Sequence, residues 1–485
     1  MRNRLLETGR AFVRRADEIM TRLRLPLGAG LALLLAVLTL LMNVGGGPLG
    51  NLNDIGGWRN RLLFLLMAAG VQAALLLGCT LLHRGSFSRL ALRQVILTAG
   101  LLIALMPINQ KSYVYVEQIQ PVVRLMDEGG LAAGLAAETT LSAPALTLLY
   151  ALTRMPVYDM YMVKLLAVGS FLLTALLAMR AADRRGWGIR TEVLLTLLMI
   201  LPQAFLNAGC APQIETLAVL LLALSATALD GERPHPLASA LCFGGAVAVS
   251  GVALYALPLY GLLIAKKRMK GRHLAAAGLL VLVCLLPAVC AGMTPGAALS
   301  SLVRASFSLP AYAAGSPSLL SIFPRANPLE TPDAFMLKQM ESIDLGSNGQ
   351  YFYTQVHFER LLRGMSIAAL AAYAGLCALG VRKKGISPLR RAMTLTLAAL
   401  ACCPAASMGA WLALDVLCVM AIVREPELRL PACLLLFATA GASCYPLTEE
   451  TLLPVAAAWA LCVVSLCMLY DVIPMGRAAA RKEAP

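Results

Sequence analysis

Leu201-Pro-Gln-Ala-Phe-Leu-Asn-Ala-Gly-Cys-Ala-Pro-Gln-Ile-Glu-Thr216 separates two apolar runs, 191–206 and 217–229, that read as transmembrane helices. The junction carries an amide (Asn207), two helix breakers (Gly209 and Pro212), a second amide (Gln213) and a carboxylate (Glu215). Glycine loses the most conformational freedom in a helix, and proline lacks the N–H that the helical ladder needs, so together they mark a break. A carboxylate at membrane depth is expensive and is retained mostly where it does something. Gln213 and Glu215 are therefore the point from which the rest of the chain is read.

The surroundings are those of a polytopic membrane protein. Of 485 residues, 59% are hydrophobic and 14% charged, with a mean hydropathy of +0.74. A soluble fold of this length has no interior for so much apolar surface. The net charge of +15 punctuates apolar runs instead of forming a stripe or basic arm, so it implies no nucleic-acid partner. The 13 cysteines lie in or beside apolar segments without a CxxC or Cys/His cluster, which makes them small apolar filler. No Walker A, GxSxG, HExxH or Rossmann fingerprint is present, which excludes ATP-driven pumps and hydrolases of those types.

The pattern predicts an all-α bundle of about 12–14 spans. Residues 1–25, with seven Arg and an amphipathic spacing (Leu5, Leu6, Phe12, Val13, Ile19, Met20, Leu23), suit a cytoplasmic helix on anionic lipid. Residues 26–87 form an added transmembrane hairpin, its first run an anchor because no cleavage site follows it. A core over 88–291 contains an outer loop, 108–158, whose pieces 114–126 and 142–153 read as interfacial helices. Within that core the short runs 236–250 and 252–265, with Gly251 and Pro258, predict a broken helix pair. A large outer loop, 292–360, precedes C-terminal spans over 361–473 and a cytoplasmic tail, 474–485. With the amino terminus inside, the predicted cytoplasmic segments hold about three quarters of the 41 Lys and Arg residues, a positive-inside bias that puts both termini in the cytoplasm. The 201–216 junction, both long loops and the 404–410 turn then share the outer face.

On these features the chain resembles the GT-C superfamily of polytopic glycosyltransferases, which use polyprenyl-phosphate-linked sugars. That family carries a motif close to Asn-Ser-Ala-x-Trp-Gly-Gln-x-Asp. Asn207-Ala-Gly-Cys-Ala-Pro-Gln213-Ile-Glu215 falls on it without a gap, keeping the Asn, the Gln and an acid while losing the Trp-Gly. Ser142-Ala-Pro-Ala-Leu146 is similar to a family Tyr-Pro-Pro-Leu element, and the segment from Pro310 to Phe323 to an Asn-Ala-Pro-Asn-x-Trp one. The departures are equally specific. Tyr113 stands where the family's catalytic Asp is expected, with Glu117 one turn further on. Ser250 replaces a frequent Lys, and Ser407-Met-Gly-Ala-Trp411 replaces a charged His-Glu-Arg-Tyr element.

The resemblance implies a plasma-membrane hexosyltransferase acting on the extracytoplasmic face. Its partners would be a polyprenyl-phosphate-linked sugar and membrane lipid, and its acceptor a glycan, lipid-linked acceptor or protein. Glu215 and Glu117 are the candidate catalytic carboxylates, and Gln213, Asn207, Arg304, His357 and Arg360 the candidate substrate-binding residues. The three cations, with Lys338 and Arg363, lie where positive residues are the exception and would hold a phosphate, unless they merely snorkel. A divalent cation, Mg or Mn, is the one cofactor the reading leaves room for. Lys164 and Asp159 read as interfacial neighbours, and Asp415, mid-span, as a structural pair with another helix. Two rival readings are a catalytically degenerate protein that binds lipid-linked glycan and, ranked last for want of internal repeats, a secondary transporter or flippase.

Overall fold

The computed structural model describes residues 23–44, 57–307 (except 84, 113, 114, 138, 140, 212 and 231–233), 316–317, 367–378, 386–403, 407–444 and 452–470, with Arg15, Glu18 and Ile19. Among the described residues there are helices and turns but no strand. The helices are α1 (Arg24–Val44), α2 (Gly57–Leu82), α3 (Phe87–Leu105), α4 (Gln120–Ala136), α5 (Ala143–Thr153), α6 (Asp159–Arg184), α7 (Arg190–Met199), α8 (Glu215–Leu229), α9 (Pro236–Val249), α10 (Leu257–Ala265), α11 (Gly271–Cys290), α12 (Pro295–Phe307), α13 (Ile367–Ala378), α14 (Pro388–Cys402), α15 (Met408–Arg424), α16 (Arg429–Ser443) and α17 (Leu452–Leu469). Four of the described helices are long and apolar enough to cross a membrane: Leu62–Leu82 within α2, α3, α6 and α11. A fifth is added if α7 and Pro202–Cys210, bent by 45° to one another, count as one span. The run expected as a single helix over 191–206 is therefore broken. Pro202 cannot donate to the helical ladder, and the chain resumes through a short turn into a π-helical one, Phe205–Cys210.

The chain forms two compact units: Met1–Lys111 with Ala151–Pro212, and Ser112–Tyr150 with Gln213–Pro485. The boundary falls inside the 201–216 stretch, so Asn207 belongs to the first unit and Gln213 and Glu215 to the second.

In the first unit α6 is the central helix: 89% of its apolar window is buried, against 44% for α3 and 39% for α2. Asp159 in its first turn and Arg184 in its last complement the helix dipole. Polar side chains tie the neighbouring helices together. Gln94 Nε2 donates to Thr80 Oγ1 at 2.9 Å, and Gln72 Nε2 to Thr98 Oγ1 at 3.1 Å. Lys164 corrects the expectation that it neighbours Asp159 at an interface. It is fully buried, and its ammonium donates to the backbone carbonyls of Pro107 (2.9 Å), Ile108 (3.2 Å) and Gln110 (2.6 Å), just past the C-terminus of α3. Carbonyls at a helix end outnumber their backbone donors, and a cation suits the negative end of the dipole.

The second unit contains the predicted broken pair. α9 stops at Val249, Ser250 Oγ accepts from Val252 N at 3.4 Å, and a 3-10 turn, Gly251–Ala256, leads to α10 with Pro258 in its first turn. That turn packs against α8, α9, α10, α12 and α14. The expected interfacial pieces are helical: a π-helical turn Tyr115–Ile119 runs into α4, and α5 follows. Asp415 in α15 accepts from Thr439 Oγ1 of α16 at 2.6 Å, which makes its pairing polar and not ionic.

Candidate functional site

The sequence around Gln213 begins a helix. Ile214 is the N-cap and Glu215 the first residue of α8, where a carboxylate is favoured by the exposed N–H groups whatever else it does. Gln213 is 6% exposed, and its Oε1 accepts a hydrogen bond from the backbone N–H of Gly409, in the first turn of α15. Glycine is required at 409 because a Cβ there would lie 2.9 Å from Gln213 Cβ. Ser407, the N-cap of α15, sets its hydroxyl beside the Glu215 carboxyl but outside hydrogen-bond geometry. Two residues beyond Gly409, the fully buried Trp411 donates from its indole N–H to Ser316 Oγ at 2.8 Å. Gln213 and Glu215 thus meet the Ser407–Trp411 turn, far away in sequence, within the second unit.

The worn Tyr-Pro-Pro-Leu-like element meets the helix break in that same unit. Ser142 Oγ donates to the carbonyl of Ala248 at 2.7 Å, and Ala143 N donates to Ser301 Oγ of α12 at 3.0 Å. Arg304 lies one turn beyond Ser301 on α12, and Glu117 lies in the π-helical turn Tyr115–Ile119. His357, Arg360, Lys338 and Arg363 fall outside the described residues. Asn207 is buried in the π-helical turn of the first unit, where Gly209 lets the chain approach the Ala104 carbonyl too closely for any Cβ.

Magnesium and manganese want about six oxygen ligands, carboxylates foremost. Among the described residues no three His, Cys, Asp or Glu side chains group so as to hold a metal, and the Gln213 oxygen is committed to Gly409.

A cluster absent from the sequence expectations lies in the first unit. Arg93 of α3 forms a double hydrogen bond with Asp183 of α6 and also donates to Glu192 of α7, from Nε at 3.0 Å and Nη2 at 2.8 Å. Its Nη1 lies 3.0 Å from His83 Nδ1. Arginine only donates, so that ring nitrogen accepts and His83 is neutral, with its Nε2–H directed to the Ser86 carbonyl at 2.9 Å. Each charge lies near the end of an apolar run, where charges are ordinary, so only a search for unlike charges at successive helix ends would have flagged them.

Fold and site together define an all-helical protein with several helices of membrane-crossing length and a polar junction between α8 and α15. Comparison with protein-family models, with curated proteins and with solved structures finds no match.

Proposed function

We infer that the chain is a diverged GT-C-type glycosyltransferase of the plasma membrane, a multi-pass bundle with both termini cytoplasmic, acting on the extracytoplasmic face. The observation that carries the reading is the bond between Gln213 and Gly409: it joins the junction motif to the Ser407–Trp411 turn and leaves the half-buried Glu215 carboxyl beside them. In the reaction an acceptor hydroxyl attacks the anomeric carbon of a polyprenyl-phosphate-linked sugar. The new C–O bond forms as the bond to phosphate breaks, polyprenyl phosphate departs, and the hydroxyl proton passes to the base. Glu215 is that base, and proton removal of this kind contributes about 10²–10⁴-fold. Glu117 is the second carboxylate, and Arg304, His357 and Arg360 serve the departing phosphate.

A second reading, a degenerate protein that binds lipid-linked glycan without turning it over, is favoured by Tyr113 and by the uncharged Ser407–Trp411 turn. Mass spectrometry of lipids co-purifying with wild type and Glu215→Gln separates the two. A polyprenyl-phosphate sugar that accumulates in the mutant supports transfer, and equal amounts support binding alone. Bulk phospholipid only, in both samples, rejects both readings and favours a transporter.

A further inference from the structure

We propose that Gln213 and Glu215 form the acceptor subsite, which takes a neutral sugar or polyol hydroxyl and excludes the donor phosphate; this rests on the transferase reading above. Gln213 Oε1 and Nε2 are interchangeable in shape, but only oxygen can accept from the Gly409 N–H, so the Gln213 NH2 group is turned away from α15. That nitrogen has no hydrogen-bond partner among the described residues, although the residue is only 6% exposed. The nitrogen itself is not fully enclosed, so a ligand acceptor can reach the donors that the fold leaves unmade.

Two residues on, Glu215 supplies the complementary half. It makes no salt bridge among the described residues, so its carboxyl is an acceptor with no cation to offset it. A phosphate placed there would meet a like charge, which costs binding. A hydroxyl fits both groups, since it accepts from the Gln213 NH2 and donates to Glu215. That proton is the one Glu215 removes in the transfer. The two roles are separable by substitution. Gln213→Glu preserves an oxygen for the Gly409 N–H while replacing the donor, and Glu215→Gln preserves size while removing the charge.

The test uses the full chain in nanodiscs, with monodispersity checked for each variant. Methyl β-glucopyranoside, methyl α-mannopyranoside and inorganic phosphate are the probes, read by saturation-transfer NMR, and the co-purified lipid is read by mass spectrometry. The expected result is glycoside binding to wild type that weakens at least tenfold in Gln213→Glu and in Glu215→Gln, with no competition by phosphate and no loss of lipid-linked sugar. Glycoside binding untouched by both substitutions would overturn the proposal. So would loss of lipid-linked sugar from the variants or competition by phosphate, either of which puts the donor at this site and leaves the transferase reading standing. Wild type that holds neither glycoside nor lipid-linked sugar rejects the subsite and the transferase reading together.

Discussion

Arg93 and Asp183 face each other through two near-parallel hydrogen bonds, Nη1 to Oδ2 at 2.6 Å and Nη2 to Oδ1 at 2.8 Å, with the Arg93 side chain 2% exposed. The same guanidinium holds Glu192, so α3, α6 and α7 of the first unit converge on a single residue. Removing one member of a buried ion pair costs about 3–5 kcal/mol, because the partners keep their desolvation penalty and lose its compensation. Arg93→Met is expected to lower the temperature at which half of the detergent-solubilised protein stays monodisperse by more than any other single change in this cluster. Glu192→Gln is expected to cost less, since Glu192 Oε2 is buried without a partner already. Replacing Arg93, Asp183 and Glu192 together by Leu removes all three charges and is expected to restore much of the loss. A triple variant weaker than Arg93→Met would mean that the cluster does more than hold the helices.

Lys164 spends all three ammonium donors on backbone carbonyls. Pro107 O also accepts from Gln110 N at 3.0 Å, so Lys164→Met leaves two carbonyls, those of Ile108 and Gln110, without this partner. The Ile108 carbonyl is buried and costs about 1–3 kcal/mol if left unpaired, while exposed Gln110 can turn to water, so the variant should be less heat-stable than wild type. Lys164→Arg is expected not to rescue it, because a planar fork cannot converge on three acceptors as a tripod does. Full stability in Lys164→Arg would show that charge, and not tripod geometry, is what the site needs.

These two cases show what hydropathy can and cannot read. An apolar run is a one-dimensional property, so the observed Asp159–Arg184 and Gly271–Cys290 fall within the core expected over 88–291. The break at Gly251 and Pro258 was legible for the same reason, since backbone chemistry is local. The partners of Lys164 lie more than 50 positions away in the chain, and its nearest charge in sequence, Asp159, is on the same helix. Local spacing therefore pointed at the wrong neighbour. In the same way, Gln213 and Glu215 were visible as polar residues at a break, but the commitment of Gln213 to Gly409, 196 positions away, was not.

Asp415 is fully buried, with Oδ1 held by Thr439 and Oδ2 without a partner. Nothing cationic offsets it among the described residues, so the charged form contributes no ion pair to lose. Asp415→Asn retains an oxygen for the Thr439 hydroxyl and is expected to change stability by no more than about 1 kcal/mol, the net worth of one hydrogen bond. Thr439→Val, which strips the acceptor of its partner, should cost about 1–3 kcal/mol. If Asp415→Asn instead abolishes a function while thermal stability is kept, the carboxylate is a working group, and the transporter reading gains support.

Gly409 and Gln213 provide the sharpest test of the junction, because one lacks the atom that the other would strike. A Cβ at 409 would lie 2.5 Å from Gln213 Oε1 and 2.9 Å from Gln213 Cβ. Gly409→Ala must therefore displace Gln213 or shift the start of α15, and overpacking of that kind costs about 1–3 kcal/mol. Gln213→Ala on its own should cost less, as it removes the bond without a collision. The double variant should be more stable than the sum of the two single losses predicts, since the collision vanishes with the side chain, and contacting residues couple by about 0.5–3 kcal/mol. Additive losses, measured by thermal unfolding of all four proteins side by side, would mean that Gln213 does not sit against Gly409 in the folded protein. The assignment of Gln213 and Glu215 to a common site with the Ser407–Trp411 turn would then fail with it.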